Sequence, residues 1–97
     1  LLAVAVAALF AASQARAQGE LQIAELGDCE LESGAVIENC RVGYRTSGQL
    51  NADGSNAVLF PAWFSGTSEQ IGSWWVGPDK FVDDSEWFVI AVDPIGN

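Results

Sequence analysis

Histidine is missing from all 97 residues, and methionine with it. Without an imidazole the chain cannot complete a Ser-His-Asp or Cys-His catalytic set, and most zinc sites lose a usual ligand. Cations are scarce: four Lys and Arg stand against thirteen Asp and Glu, a net charge of -9. So few positive charges cannot follow a phosphate track, which excludes nucleic acid as a partner. Cysteine is limited to Cys29 and Cys40, too few ligands for a metal site. No metal or cofactor is expected. What the chain does have is apolar surface: hydrophobic types make up 49%, with four Trp and five Phe. A disordered segment would not carry that load. Alone, the 97 residues are expected not to complete an active site, to be inactive, and to fold poorly with buried strands left without neighbours.

Residues 1–12 are almost wholly apolar, and Ser13-Gln14-Ala15-Arg16-Ala17 follows. The run is too short to span a bilayer, and Ala15-Arg16-Ala17 has the small-x-small form of a cleavage site. Residues 1–17 therefore read as a secretory signal peptide whose positive n-region is missing. The alternative is a buried helix, since Ala and Leu favour helix. Cleavage would leave residues 18–97 secreted or periplasmic, with no membrane contact.

In an exported chain two cysteines favour a disulfide. Asp28-Cys29-Glu30-Leu31-Glu32 alternates polar with apolar, and Cys40-Arg41-Val42-Gly43-Tyr44-Arg45-Thr46 does so again beyond Ser33-Gly34. Two antiparallel strands joined by that turn would set Cys29 opposite Cys40, and an unstrained bridge would add roughly 2–3 kcal/mol. Two free, buried thiols are the alternative.

Residues 47–56 are dense in turn formers. Residues 57–60, Ala-Val-Leu-Phe, form a continuous apolar run, the mark of a strand covered on both faces, and Pro61 stops it. Residues 87–92 repeat the pattern after a connector long enough for a right-handed parallel crossover. Within the connector, residues 67–76 can form a helix capped by Thr67 or Ser68, weakened by Gly72. An antiparallel hairpin leading into parallel strands is how a larger α/β domain begins.

Ligands of open α/β sheets bind beyond the carboxyl ends of the parallel strands. Two such ends occur here: Pro61-Ala62-Trp63-Phe64-Ser65-Gly66-Thr67 and Asp93-Pro94-Ile95-Gly96-Asn97. Backbone N–H groups in the first could face a developing oxyanion; otherwise it is an ordinary strand-to-helix turn with Trp63 and Phe64 in the core. Ser65, Thr67 and Ser68 lack an activating base, and no Gly-x-Ser-x-Gly elbow exists, so they read as turn or cap residues. Asp83, Asp84 and Glu86 lack the spacing of a calcium loop and read as a solvated turn. Trp74 and Trp75 read as packing residues, with sugar stacking the alternative. Neither Asn51 nor Asn56 begins an Asn-x-Ser/Thr acceptor.

In order, Leu31-Glu32-Ser33-Gly34, Val42-Gly43-Tyr44-Arg45-Thr46-Ser47-Gly48-Gln49-Leu50-Asn51, Ser55-Asn56-Ala57-Val58-Leu59-Phe60, Phe64-Ser65-Gly66-Thr67, Ile71-Gly72, Val76-Gly77-Pro78-Asp79-Lys80-Phe81-Val82-Asp83 and Trp87-Phe88-Val89-Ile90-Ala91-Val92-Asp93-Pro94-Ile95-Gly96-Asn97 resemble the opening of the homoserine O-acetyltransferase-like family of the α/β-hydrolase fold. The resemblance implies an N-terminal part of an α/β-hydrolase sheet, truncated on its C-terminal side. It places the nucleophilic Ser, the Asp and the His beyond Asn97. The oxyanion donor here would be the backbone N–H of Phe64, or of Trp63 if the loop is shifted by one. Where the family has His-Ala, this chain has Pro61-Ala62. That departure, with the export signal, favours a small-molecule ester as substrate over acetyl transfer to homoserine. A homodimer of the full-length protein is a further expectation. The competing expectation is a small disulfide-stapled binding module that presents Trp63, Trp74 and Trp75.

Overall fold

The computed structural model describes residues 19–96; the signal-peptide segment, residues 1–17, lies outside them. Four strands form one sheet. β1 (Gln22–Glu30) and β2 (Val36–Ser47) make the antiparallel hairpin, β3 (Ala57–Pro61) follows, and β4 (Phe88–Val92) comes last. The sheet order is β1-β2-β4-β3, with β2 antiparallel and β3 parallel to β4. This is the mixed sheet expected of an α/β-hydrolase opening. The parallel pair sets Val58 beside Val89 and Phe60 beside Ala91. Its crossover contains one helix, α1 (Ser68–Trp74).

The hairpin is longer than the alternating residues suggest, because Gln22–Glu25 also pairs with β2. Its turn closes through Leu31 N–H to Ala35 O (2.8 Å) and Gly34 N–H to Leu31 O (2.9 Å). Two register shifts interrupt it, on either side of Gly27. Gly27 takes φ +70° and Asn39 φ +52°, where a residue is added to one strand and the ladder slips. Asn39 is held by its N–H to the Asp28 carboxylate at 3.0 Å. The slip corrects the expected pairing: Cys40 faces Gly27, and Cys29 faces Ile37. The thiols are free, Cys40 buried and Cys29 half-buried. They remain neighbours, and the Cys40 thiol, ahead of desolvation and the nearby negative charge, pushes the Cys29 thiol above its ordinary range.

α1 starts where its cap dictates. Thr67 Oγ1 accepts the Gln70 N–H (3.1 Å) while the Gln70 side chain accepts the Thr67 N–H (3.1 Å), a reciprocal capping box. It ends after seven residues, where Lys80 Nζ reaches back to the Ser73 carbonyl at 2.5 Å. Ile71 is its buried anchor, packed with Val76, Val82, Val89 and Ala91, and Phe60 and Ala62 close the cluster. Burying each of the larger side chains stabilises the fold by about 1.5–3 kcal/mol.

That core lies on one face of the sheet. β3 therefore differs from expectation: Val58 and Phe60 are half-buried, but Leu59 is 66% exposed. A continuous apolar run predicts cover on both faces, whereas α1 supplies it on one. Pro61 closes β3 from within; lacking an N–H, it is tolerated because β3 is an edge strand among the described residues.

Candidate functional site

The loop between β3 and α1 is tied at both ends to the end of β4. At its start, Ala62 N–H donates to Val92 O (2.9 Å). At its finish, the Asp93 carboxylate accepts Ser68 N–H at 2.5 Å and Ser68 Oγ–H at 3.0 Å. Asp93 in turn donates its own N–H to Gly43 O of β2 (2.8 Å). Ser68 and Asp93 are both buried. The space for the carboxylate depends on Gly43, where a Cβ would come to 2.7 Å from Asp93 Oδ2.

Between these ties the loop makes a tight turn, closed by Gly66 N–H to Trp63 O at 2.8 Å. Ser65 occupies φ +62°, a conformation that costs a non-glycine residue about 1 kcal/mol or more and collects at functional loops. Gly66 passes directly beneath the Trp63 indole; a Cβ there would lie 2.6 Å from the ring. The same indole stacks on Trp74 of α1, centroids 5.9 Å apart and planes 19° off parallel. Backbone and ring together fix the turn.

Trp63 and Phe64 were candidates for the core as well as for donors, and the structure rejects the first. Phe64 is 96% exposed and Trp63 is exposed too. Neither backbone N–H engages a main-chain carbonyl among the described residues. Trp74 and Trp75 are also exposed, so they are not core either; Trp75 instead meets Phe81 edge-on at 6.2 Å. Of the hydroxyls, Ser68 is held by Asp93 and Thr67 caps the helix, which fits their reading as turn and cap residues.

The acidic turn before β4 builds structure. Asp83 Oδ1 accepts Ser85 N–H (2.9 Å) and Ser85 Oγ–H (2.7 Å), and these bonds hold its carboxyl below the usual aspartate value. Asp84 accepts from Ser47 Oγ at the end of β2. No cluster of three metal-ligating side chains occurs among the described residues. A cavity of about 250 Å³ lies between α1 and the sheet, lined by Arg45, Ser47, Gly72 and Val89 among others. Neither Trp63 nor Phe64 lines it.

Sequence reasoning named the loop and missed what holds it. Gly43 and Asp93 each lie 25 positions from Ser68, on opposite sides of it, so no local pattern links them. The one available signal was an acidic residue directly after a parallel strand, where an α/β sheet places its functional loops.

A mixed sheet in which an antiparallel hairpin leads into a parallel pair is the opening of an α/β domain. Comparison with known proteins makes the class specific. An acetylester hydrolase from Corynebacterium glutamicum superposes with a TM-score of 0.74 at 44% identity, covering 84% of this chain and 24% of that one. Ethyl acetate hydrolase of Pseudomonas veronii is 37% identical over 79 residues, 81% of this chain and 23% of its own length. Homoserine O-acetyltransferase of Geobacter sulfurreducens is 37% identical over 82 residues, 72% of this chain and 22% of its length. No protein-family model matches. The homologues of this chain thus include esterases and homoserine O-acetyltransferases of the α/β-hydrolase family, and the chain spans about a quarter of the length of these relatives.

Proposed function

We propose that residues 18–97 are the amino-terminal part of an exported ester hydrolase that works through an acyl-enzyme. The Phe64 N–H serves as an oxyanion donor, and the nucleophilic Ser, the Asp and the His come from polypeptide beyond Asn97. The observation that carries this reading is the clamped turn at residues 63–66, in which the exposed Trp63 and Phe64 have backbone N–H groups that engage no main-chain carbonyl among the described residues and sit past the end of β3. The esterase relatives support a small ester as substrate. Export rests on the apolar run and Ala15-Arg16-Ala17. In an oxidising compartment, loss of one hydrogen from each thiol to the oxidant would join Cys29 to Cys40.

Proline at position 64 tests the donor. Phe64 is the second residue of a four-residue turn, a place proline favours, yet proline has no N–H to donate. In the full-length protein, Phe64→Pro is expected to lower kcat for p-nitrophenyl acetate about 100-fold or more, as loss of an oxyanion donor does. Phe64→Ala keeps the N–H and is expected to retain most of that kcat. Equal activity of the proline and alanine variants would refute Phe64 as donor. An equivalent loss in Trp63→Pro alone would move the role by one residue.

A further inference from the structure

We propose that Asp93 is a positioning residue for the acyl-transfer reaction, its carboxylate gripping Ser68 so that the turn at residues 63–66 presents its N–H groups in one fixed orientation. The inference rests on the reading of this loop as the oxyanion-binding element. Its basis is the double tie described above. Val92 holds the entry of the loop through Ala62, and the next residue, Asp93, holds its exit through Ser68. Only residues 63–67 lie between the two ties. Rotation of the turn about its ends is therefore resisted by two adjacent residues, the last of β4 and the one that follows it.

The chemistry of the tie favours a carboxylate. Asp93 is 9% exposed, and the hydrogen-bond donors to its carboxylate among the described residues are the Ser68 N–H and Oγ–H. A charged acceptor makes hydrogen bonds roughly twice as strong as a neutral one. It also faces the first residue of a helix, where negative charge is favoured. Gly43 gives up a side chain so that the carboxylate fits. Two separate segments, at Gly43 and at Ser68, are thus shaped around this one carboxylate. Misplacing a reacting group by about 1 Å can cost on the order of 100-fold in rate, which is the scale on which such a grip acts.

The test uses the full-length protein, with p-nitrophenyl acetate kinetics and hydrogen exchange at the amides of residues 63–68. Asp93→Ala is expected to lower kcat about tenfold to 100-fold while KM stays within about threefold, with faster exchange at Gly66 and Ser68. Asp93→Asn keeps an acceptor for the Ser68 N–H and is expected to recover most of the lost rate and protection. Ser68→Ala removes the hydroxyl tie alone; it should fall between wild type and Asp93→Ala, and it decides the matter if Asp93→Ala does not fold. Wild-type kcat in Ser68→Ala together with unchanged exchange would overturn the proposal. So would losses confined to KM, or an equal fall in the Asn and Ala variants with a protected loop. A wild-type enzyme without turnover would overturn the hydrolase reading itself, and this role with it; a working wild type with indifferent Asp93 variants overturns this role alone.

Discussion

Replacing Gly48 by alanine is expected to destabilise the protein by about 2–5 kcal/mol. Gly48 follows directly after β2, at φ +84°. A left-handed backbone costs an L-residue roughly 1–2 kcal/mol. The larger part is contact: a Cβ there would collide with the Trp87 carbonyl oxygen and come to 2.6 Å from that of Asp84. Both are main-chain atoms, so neither can swing aside, and overpacking of this kind typically costs about 1–3 kcal/mol. Gly34→Ala is the control, because Gly34 has φ +89° and nothing within 4 Å of a Cβ. It should show the conformational cost alone. Urea unfolding of the two full-length variants, compared through midpoints at a common slope, measures the difference. If Gly48→Ala falls within about 0.5 kcal/mol of Gly34→Ala, the contact argument is wrong.

Gly72 sits inside α1 with open space around a built Cβ, so Gly72→Ala should stabilise by about 0.5–1 kcal/mol; a lower melting temperature would refute this. Asp83 is held below the usual aspartate value by the Ser85 hydroxyl first and the Ser85 N–H second. Its folded pKa is depressed, so its contribution to stability is present above the ordinary carboxylate range and is lost as pH falls through the folded value. Ser85→Ala should raise the Asp83 midpoint in a carbon-detected NMR titration, and an unmoved midpoint would count against the assignment. Under reducing conditions Cys29 should alkylate with iodoacetamide more slowly at neutral pH than an unhindered thiol, since its raised pKa leaves little thiolate. Cys40→Ala should shift its pH–rate midpoint downward.

Strand identity was legible because the signals are local. Residues 57–60 and 87–92 are unbroken apolar runs, and Thr67 followed by Gln70 spells the capping box three residues apart. Cover was harder to read: Leu59 is as apolar as Val58, and nothing nearby says which face α1 will take. The hairpin register failed for a related reason. Alternation around Cys29 and Cys40 predicts direct opposition, but Gly27 and Asn39 each adopt positive φ and slip the ladder. At the candidate site, Phe64 and Trp63 were reachable through their place after a parallel strand. Their outward orientation was not, since aromatic residues in a turn ordinarily argue for burial. The Gly43–Asp93–Ser68 grip joins segments that only the sheet order β1-β2-β4-β3 brings together.

That order also has a temporal meaning. A ribosome delivers β4 after the other three strands, yet β4 is the one that lies between β2 and β3. The hairpin can close as soon as Ser47 has emerged, whereas β3 has no strand beside it until residues 88–92 exist. A nascent chain halted between positions 61 and 88 should thus protect the amides of β1 and β2 while those of β3 still exchange freely. Whatever chaperone attends synthesis has an apolar, unpaired ribbon to shield for the whole of that interval.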